Sequence, residues 1–262
     1  MSSQIRSVLI TGSTSGIGEA TAVAFARDGH TVYVNGRDPA RTRAAANRIT
    51  EAAEEGWGKV LPAAGDVATA EGVRSVCEAV PELDILVNNA GIYTETPAFE
   101  ISDEEWLRHF EVNVLSGVRL TRHYAPAMVR QGWGRVIFIS SECALFTPKE
   151  MIHYGMTKAA QLSVSRGFAL WVAGSGVTVN TVLPGPTRTP GAEEFISKSY
   201  PDLSFEEAER RYFQSYRPTS LIQRFALPSE VANMIRYLGS DEASATTGSA
   251  LRVDGGVVPT IA

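Results

Sequence analysis

Val8-Leu9-Ile10-Thr11-Gly12-Ser13-Thr14-Ser15-Gly16-Ile17-Gly18 decides the fold. The opening apolar triplet reads as a strand covered on both faces, as in a parallel sheet. The chain then turns through glycines at 12, 16 and 18, and a helical pattern begins at once over Gly16–Asp28. Glycines let the chain turn tightly, let an anion approach the backbone and let the helix sit close on the sheet. The first helical turn offers unpaired N–H groups and a partial positive charge. The segment Gly12, Ser13, Ser15, Gly16, Ile17 and Gly18 therefore reads as a cradle for a dinucleotide pyrophosphate. It is not a P-loop, because Ile17 stands where lysine is required. An ordinary glycine-rich strand–helix turn is the bland alternative.

Outward from this stretch the same alternation continues. Strands are expected at Ser7–Thr11, Thr31–Asn35, Lys59–Ala63, Leu83–Val87, Arg135–Ser140, Val177–Leu183 and Ala250–Val253. Helices are expected at Gly16–Asp28, Pro39–Glu55, Ala70–Val80, Asp103–Gln131, Glu150–Ala173 and Ser229–Leu238. Asp38-Pro39 supplies an N-cap and a proline at the first helical position, and Ser102 with Glu105 predicts a capping box. Such alternation means an α/β protein, a parallel sheet with helices on both faces. Residues 189–227 break the rhythm with no strand and with Phe195, Tyr200, Phe205, Tyr212, Phe213 and Tyr216. This insertion is either a substrate lid or a packed helical hairpin. We read it as a helical lid, because ligands of open α/β sheets bind at the strands' carboxyl ends.

Composition narrows the class. The 262 residues carry a net charge of −5, which gives no pull toward nucleic acid or anionic lipid. Cys77 and Cys143 fit no zinc spacing and read as free, buried thiols, so no metal site is expected. No apolar run approaches the roughly 18 residues of a membrane span, and the N-terminus lacks a signal-peptide core. A cytoplasmic location is expected.

At the end of the second strand, where an acid usually meets the adenosine ribose, the chain reads Val34-Asn35-Gly36-Arg37. A guanidinium in place of an acid suits a 2′-phosphate and favours NADP(H) over NAD(H); a solvated surface arginine is the alternative. Asp66-Val67 is placed to meet the adenine edge, although a plain turn aspartate explains Asp66 nearly as well. Tyr154 and Lys158 stand at i and i+4, on one helix face with Cβ atoms about 5–6 Å apart. A nearby ammonium favours phenolate, so the phenol pKa is expected to fall from about 10 toward working pH. Ser141 ends the fifth strand thirteen residues before Tyr154. Asn113 lies in an apolar helical stretch and needs a partner, for which a structural hydrogen bond would suffice.

Together Thr11–Gly18 (TGxxxGIG), Asn88–Gly91, Asn113, Ser141, Tyr154–Lys158 (YxxxK), Pro184-Gly185 and Arg252–Gly256 resemble the short-chain dehydrogenase/reductase family over nearly the whole chain. The resemblance implies one doubly wound Rossmann-type domain over residues 1–262, with a seven-stranded sheet in the order 3-2-1-4-5-6-7. It implies that Tyr154 is the general acid/base, that Lys158 lowers its pKa and holds the nicotinamide ribose, and that Ser141 binds the carbonyl oxygen. Asn113 would hold a water in the proton path. Gly12, Gly16 and Gly18 would wrap the pyrophosphate, and Asn89, followed by Ala90 and Gly91, would sit beside the adenosine ribose. Pro184, Gly185, Thr187 and Thr189 would meet the carboxamide end, with Thr189 the better match. Ser141 fits the family spacing better than Ser140, and His153 points off the catalytic face. The expected activity is hydride transfer between NADP(H) and a small-to-medium apolar ketone or secondary alcohol. Use of NAD(H), or a non-catalytic dinucleotide sensor, are the alternatives. The long helices at Asp103–Gln131 and Glu150–Ala173 imply a homotetramer or homodimer.

Overall fold

Strand β1 (Ser7–Ile10) has Val8, Leu9 and Ile10 fully buried, as the apolar triplet requires. The computed structural model describes residues 4–261. After β1 come α1 (Gly16–Arg27), β2 (Thr31–Val34), α2 (Pro39–Glu51), β3 (Val60–Pro62), α3 (Ala70–Ala79) and β4 (Ile85–Asn88). The second half holds α4 (Asp103–Phe110), α5 (Ser116–Gln131), β5 (Gly134–Ile139), α6 (Ile152–Trp171) and β6 (Val177–Pro184). It closes with α7 (Pro190–Ser199), α8 (Phe205–Tyr216), α9 (Pro228–Gly239) and β7 (Ala250–Val253). All strand pairs are parallel, and the seven-stranded sheet runs β3-β2-β1-β4-β5-β6-β7.

Alternate side chains of each strand enter opposite layers. Val8, Ile10, Val32 and Val34 pack with Phe25 of α1, Ile49 of α2 and Ile235 and Leu238 of α9. Leu9, Leu86, Val136 and Phe138 pack with Val76 of α3 and Leu120 and Met128 of α5. The register pairs Ile10 with Val87 and Ile139 with Val182, so the carboxyl ends of the central strands open onto one edge.

Several expectations are corrected in detail. The helix expected over Asp103–Gln131 is α4 and α5 joined by a π-helical stretch, Glu111–Leu115. Helix α2 ends at Glu51 rather than Glu55, and α6 begins at Ile152 rather than Glu150. Ser102 accepts from the Glu105 N–H at 3.3 Å, but Glu105 does not complete the box because Arg108 takes its carboxylate at 2.7 and 2.8 Å. Cys143 is buried, whereas Cys77 is only half-buried. The insertion forms α7 and α8, which pack around their own cluster of Ile196, Ala208, Tyr212, Phe213 and Phe225. Its two ends are stitched together by Arg188 N–H to Ala226 O at 2.8 Å and Ala226 N–H to Pro186 O at 2.9 Å. Among the described residues no helix is long and apolar enough to cross a membrane.

Candidate active site

The strand ends and the insertion enclose a cavity of about 700 Å³. Its nucleotide-like end is the turn after β1. Gly12 and Gly16 have φ of +61° and +62°, a backbone that L side chains rarely adopt. At Gly18 a Cβ would stand 2.6 Å from Gly12 O and 2.7 Å from Asn89 Nδ2, so only glycine lets α1 come this close. Ser15 makes no side-chain cap, which leaves the first turn of α1 uncapped toward the cavity that Ser15, Gly16, Ile17 and Gly18 line. This bare helix start beside a glycine cradle fits a pyrophosphate.

Asn89 lines the same end, and its Nδ2 donates to Thr11 O and Gly12 O at 2.8 and 3.0 Å. Ser13 and Ala90 lie behind the wall, and Gly12 is exposed beside it. Ser13 is fully buried, donates to Ile10 O at 2.7 Å and braces Asn35, while the Ala90 N–H is held by Thr11 Oγ1 at 2.9 Å. Arg37 is exposed and outside the cavity, and its side chain has no hydrogen bond or ion pair among the described residues. Asp66 closes its own turn by accepting from Ala68 N–H at 3.0 Å, and Val67 is a core residue, 4% exposed. The turn hydrogen bond fits the plain turn aspartate that the sequence offered as the alternative for Asp66.

The other end of the cavity carries Ser141, Tyr154 and Lys158. Ser141 follows β5, and Tyr154 and Lys158 share one face of α6, with Lys158 Nζ 5.4 Å from the tyrosine ring centroid. The ammonium donates to Ile139 O at 2.9 Å. Ser140 donates to Lys158 O at 2.8 Å and so ties α6 to β5. Burial holds Lys158 down at about 8. Burial, then the Cys143 sulfur and the Glu142 carboxylate, push Tyr154 well above its ordinary value, with the Ser141 hydroxyl opposing. The expected fall in the phenol pKa is thus reversed in the protein alone. Desolvation outweighs an ammonium that is turned toward a backbone carbonyl.

Asn113 is 1% exposed and lies outside the cavity wall. Its side chain accepts from Ile92 N–H at 2.8 Å and donates to Ile92 O and Thr157 Oγ1 at 3.0 Å each. Gln161 donates to its carbonyl at 2.6 Å. These hydrogen bonds satisfy the Asn113 side chain. Gly91, which also lines the cavity, adjoins both Asn113 and Lys158. Pro184, Gly185, Thr187 and Thr189 form the wall after β6. Thr187 donates to Gly185 O at 2.9 Å, and Thr189 caps α7 by accepting from Ala192 N–H at 3.3 Å. His153 is fully buried against His109 and Trp106, away from the cavity, with Nε2 2.8 Å from Thr94 Oγ1. Glu105, His109 and His153 bring possible metal-ligand atoms within 4.8 Å, but Arg108 already holds both oxygens of the carboxylate.

The sequence reading missed Glu142, Arg217, Glu95 and Tyr93, all on the cavity wall. An acid beside Ser141 was a visible signal. Arg217 gave none, because only the folding of the insertion brings it here. Of the insertion's aromatic residues Phe195, Tyr212 and Phe225 reach the cavity, where they share the wall with these charges.

A family model described as enoyl-(acyl carrier protein) reductase matches residues 12–258. The chain is 46% identical over 261 residues to an uncharacterized oxidoreductase of Bacillus subtilis, YvaG, covering 98% of each chain. A second uncharacterized oxidoreductase of that organism, YvrD, is 43% identical and covers 96% of this chain and 95% of its own. Among solved structures, L-sorbose reductase from Gluconobacter frateurii, complexed with NADPH and L-sorbose, superposes with a TM-score of 0.91 at 36% identity, covering 100% of both chains.

Proposed function

The chain belongs to the short-chain dehydrogenase/reductase family, and from that premise we propose that it is an NADP(H)-preferring oxidoreductase interconverting a small-to-medium ketone and its secondary alcohol. One observation carries the reading: Ser141, Tyr154 and Lys158 share a cavity with an uncapped, glycine-lined helix start. When bound, the nicotinamide supplies or accepts the hydride.

The chain's own residues supply position and a proton. Gly16, Ile17 and Gly18 hold the pyrophosphate by backbone N–H groups, and Asn89 stands by the ribose. Pro184, Gly185, Thr187 and Thr189 hold the far end of the cofactor. Tyr154 keeps its proton at neutral pH and gives it to the carbonyl oxygen in reduction, or takes it back in oxidation. Ser141 shares the charge that grows on that oxygen. Lys158 holds the ribose side and stands beside the phenol. Residues 1–262 act as one catalytic domain, with 189–227 as its lid on the stitched neck at Arg188 and Ala226.

Two features support NADP(H). Arg37 is exposed and unpaired, and the preceding strand offers Asn35, buried among backbone groups, where an acid would meet the ribose. The sorbose reductase, complexed with NADPH, is consistent with this preference. For assembly we infer a homotetramer or homodimer built on α5 and α6, whose end leaves Leu170 64% and Trp171 85% exposed; light scattering tests it.

The direct test follows reduced-nicotinamide absorbance over a panel of carbonyls. Wild type turns over, and Tyr154→Phe loses about 10²–10⁴ in kcat while keeping cofactor affinity. A silent wild type over a broad panel, or a Tyr154→Phe enzyme as fast as wild type, defeats the reading.

A further inference from the structure

Glu142 and Arg217 form a charged pair inside the cavity that hydride transfer does not require. Glu142 follows Ser141 after β5, and Arg217 follows α8; their side chains are 6% and 13% exposed. Arg217 Nε stands 3.6 Å from Glu142 Oε1, beyond hydrogen-bond distance. The other carboxylate oxygen, Oε2, accepts from Ser141 Oγ at 2.5 Å. Among the described residues the Arg217 guanidinium donates one hydrogen bond, to Tyr216 O at 2.8 Å, and Arg217 lines the cavity. Glu95 adds a second carboxylate to the wall.

Buried charges with unfilled hydrogen-bonding capacity are costly, and a complementary ligand relieves them. An apolar ketone would dry this wall and satisfy none of it. A carboxylate substrate would meet two carboxylates against one guanidinium. A neutral hydroxyl suits both partners, because its proton goes to Glu142 and its lone pairs accept from Arg217.

Ser141 sharpens the choice. Its single O–H points at Glu142 and is therefore withdrawn from a substrate carbonyl. A hydroxyl on the carbon beside the carbonyl carbon can replace Ser141 on Glu142 and release the serine O–H to the carbonyl oxygen. Resting on the oxidoreductase reading above, we propose that the substrate is a neutral α-hydroxyketone, or the matching vicinal diol, recognised by Glu142 and Arg217.

The test compares 1-hydroxy-2-butanone with 2-butanone under NADPH. Wild type is expected to favour the hydroxyketone in kcat/KM by about 100-fold or more, as a site built to bond a hydroxyl does. In Glu142→Ala and Arg217→Gln that ratio falls at least about tenfold, because the bonds to the hydroxyl are lost. NADPH fluorescence titration, unchanged in both variants, shows that they are folded. Equal kcat/KM for the two ketones in wild type, or a preference that survives Glu142→Ala, overturns this proposal and leaves the oxidoreductase reading standing. No turnover of any carbonyl with NADPH or NADH brings down both.

Discussion

At the scale of single residues, the chemistry turns on where two protons sit. Tyr154 is pushed well above its ordinary value, by burial first, and so keeps its proton through neutral pH. Lys158, depressed to about 8 by burial, loses its charge as pH rises through that value. Reduction uses the protonated phenol, so its kcat/KM should be flat from pH 6 to 8 and decline above about 8. Oxidation needs the phenolate, whose fraction grows tenfold per pH unit below the raised phenol pKa, so its log kcat/KM should climb with a slope near one up to about pH 8 and flatten above it as Lys158 loses its charge. An oxidation profile that levels off near pH 7 would show that the phenol is acidic in the working complex. Arg37→Ala gives a second residue-scale test by cofactor titration. A 2′-phosphate contact predicts at least a tenfold weaker grip on NADPH with NADH unchanged, whereas equal losses exclude the contact. Tyr154, Lys158 and Ser141 were legible because their spacing is local. The sign of the tyrosine shift was not, because it depends on burial and on Glu142, which the fold supplies.

At the scale of elements, the informative departure is the joint between α4 and α5. The apolar period of Asp103–Gln131 looks like one helix, and nothing in it announces the π-helical turn at Glu111–Leu115. Such turns insert an extra residue into the helical ladder and recur at functional sites. Here the turn holds Asn113 against Ile92 and Thr157, so the cavity-lining loop at Gly91–Glu95 is tied to α6. Asn113→Ala removes all three side-chain bonds and leaves the Ile92 N–H and carbonyl without them. The expected cost is about 2–4 kcal/mol, a fall in Tm of roughly 5–15 °C for a chain of this length. Thermal melting measures it, and a shift of under 2 °C would mean that the loop holds itself. Helix starts were legible wherever a cap was written, as at Asp38-Pro39, which accepts from Arg41 N–H at 2.8 Å. The end of α2 was not, because Ala52 to Glu55 favour helix and only the following turn stops it.

At the scale of the whole molecule, the sheet was legible because parallel strands joined by helices leave few allowed arrangements. The docking of 189–227 was not, because aromatic side chains serve a lid and a private core alike: Phe213 went to the core, while Tyr212 and Phe225 serve both core and cavity. The same burial that encloses the cavity sets how the protein answers to alkali. Burial pushes Cys143 and Tyr212 up to about 12, from 9.0 and 10.0, and raises Tyr154 and Tyr124 as well. A raised folded pKa gives stability that is complete below the unfolded value and is lost as pH climbs through the folded one. Lys158 acts in the opposite sense, since a folded value of about 8 against 10.5 makes its contribution grow between those limits. Cys77, Tyr93 and Tyr200 are raised too, so one lysine against two thiols and five phenols leaves the folded chain holding more protons than the unfolded chain from about pH 10 upward. Each proton of that excess removes about 1.4 kcal/mol of stability per pH unit. Denaturant midpoints should therefore stay level to pH 9 and fall steeply above 10. Cys143→Ala, which removes one of the two thiols that titrate earliest in the unfolded chain, should flatten the first part of that fall. A midpoint that holds steady to pH 11.5 would mean that these groups ionise in the folded protein as they do in the open chain, and that the cavity wall is wetter than its packing implies.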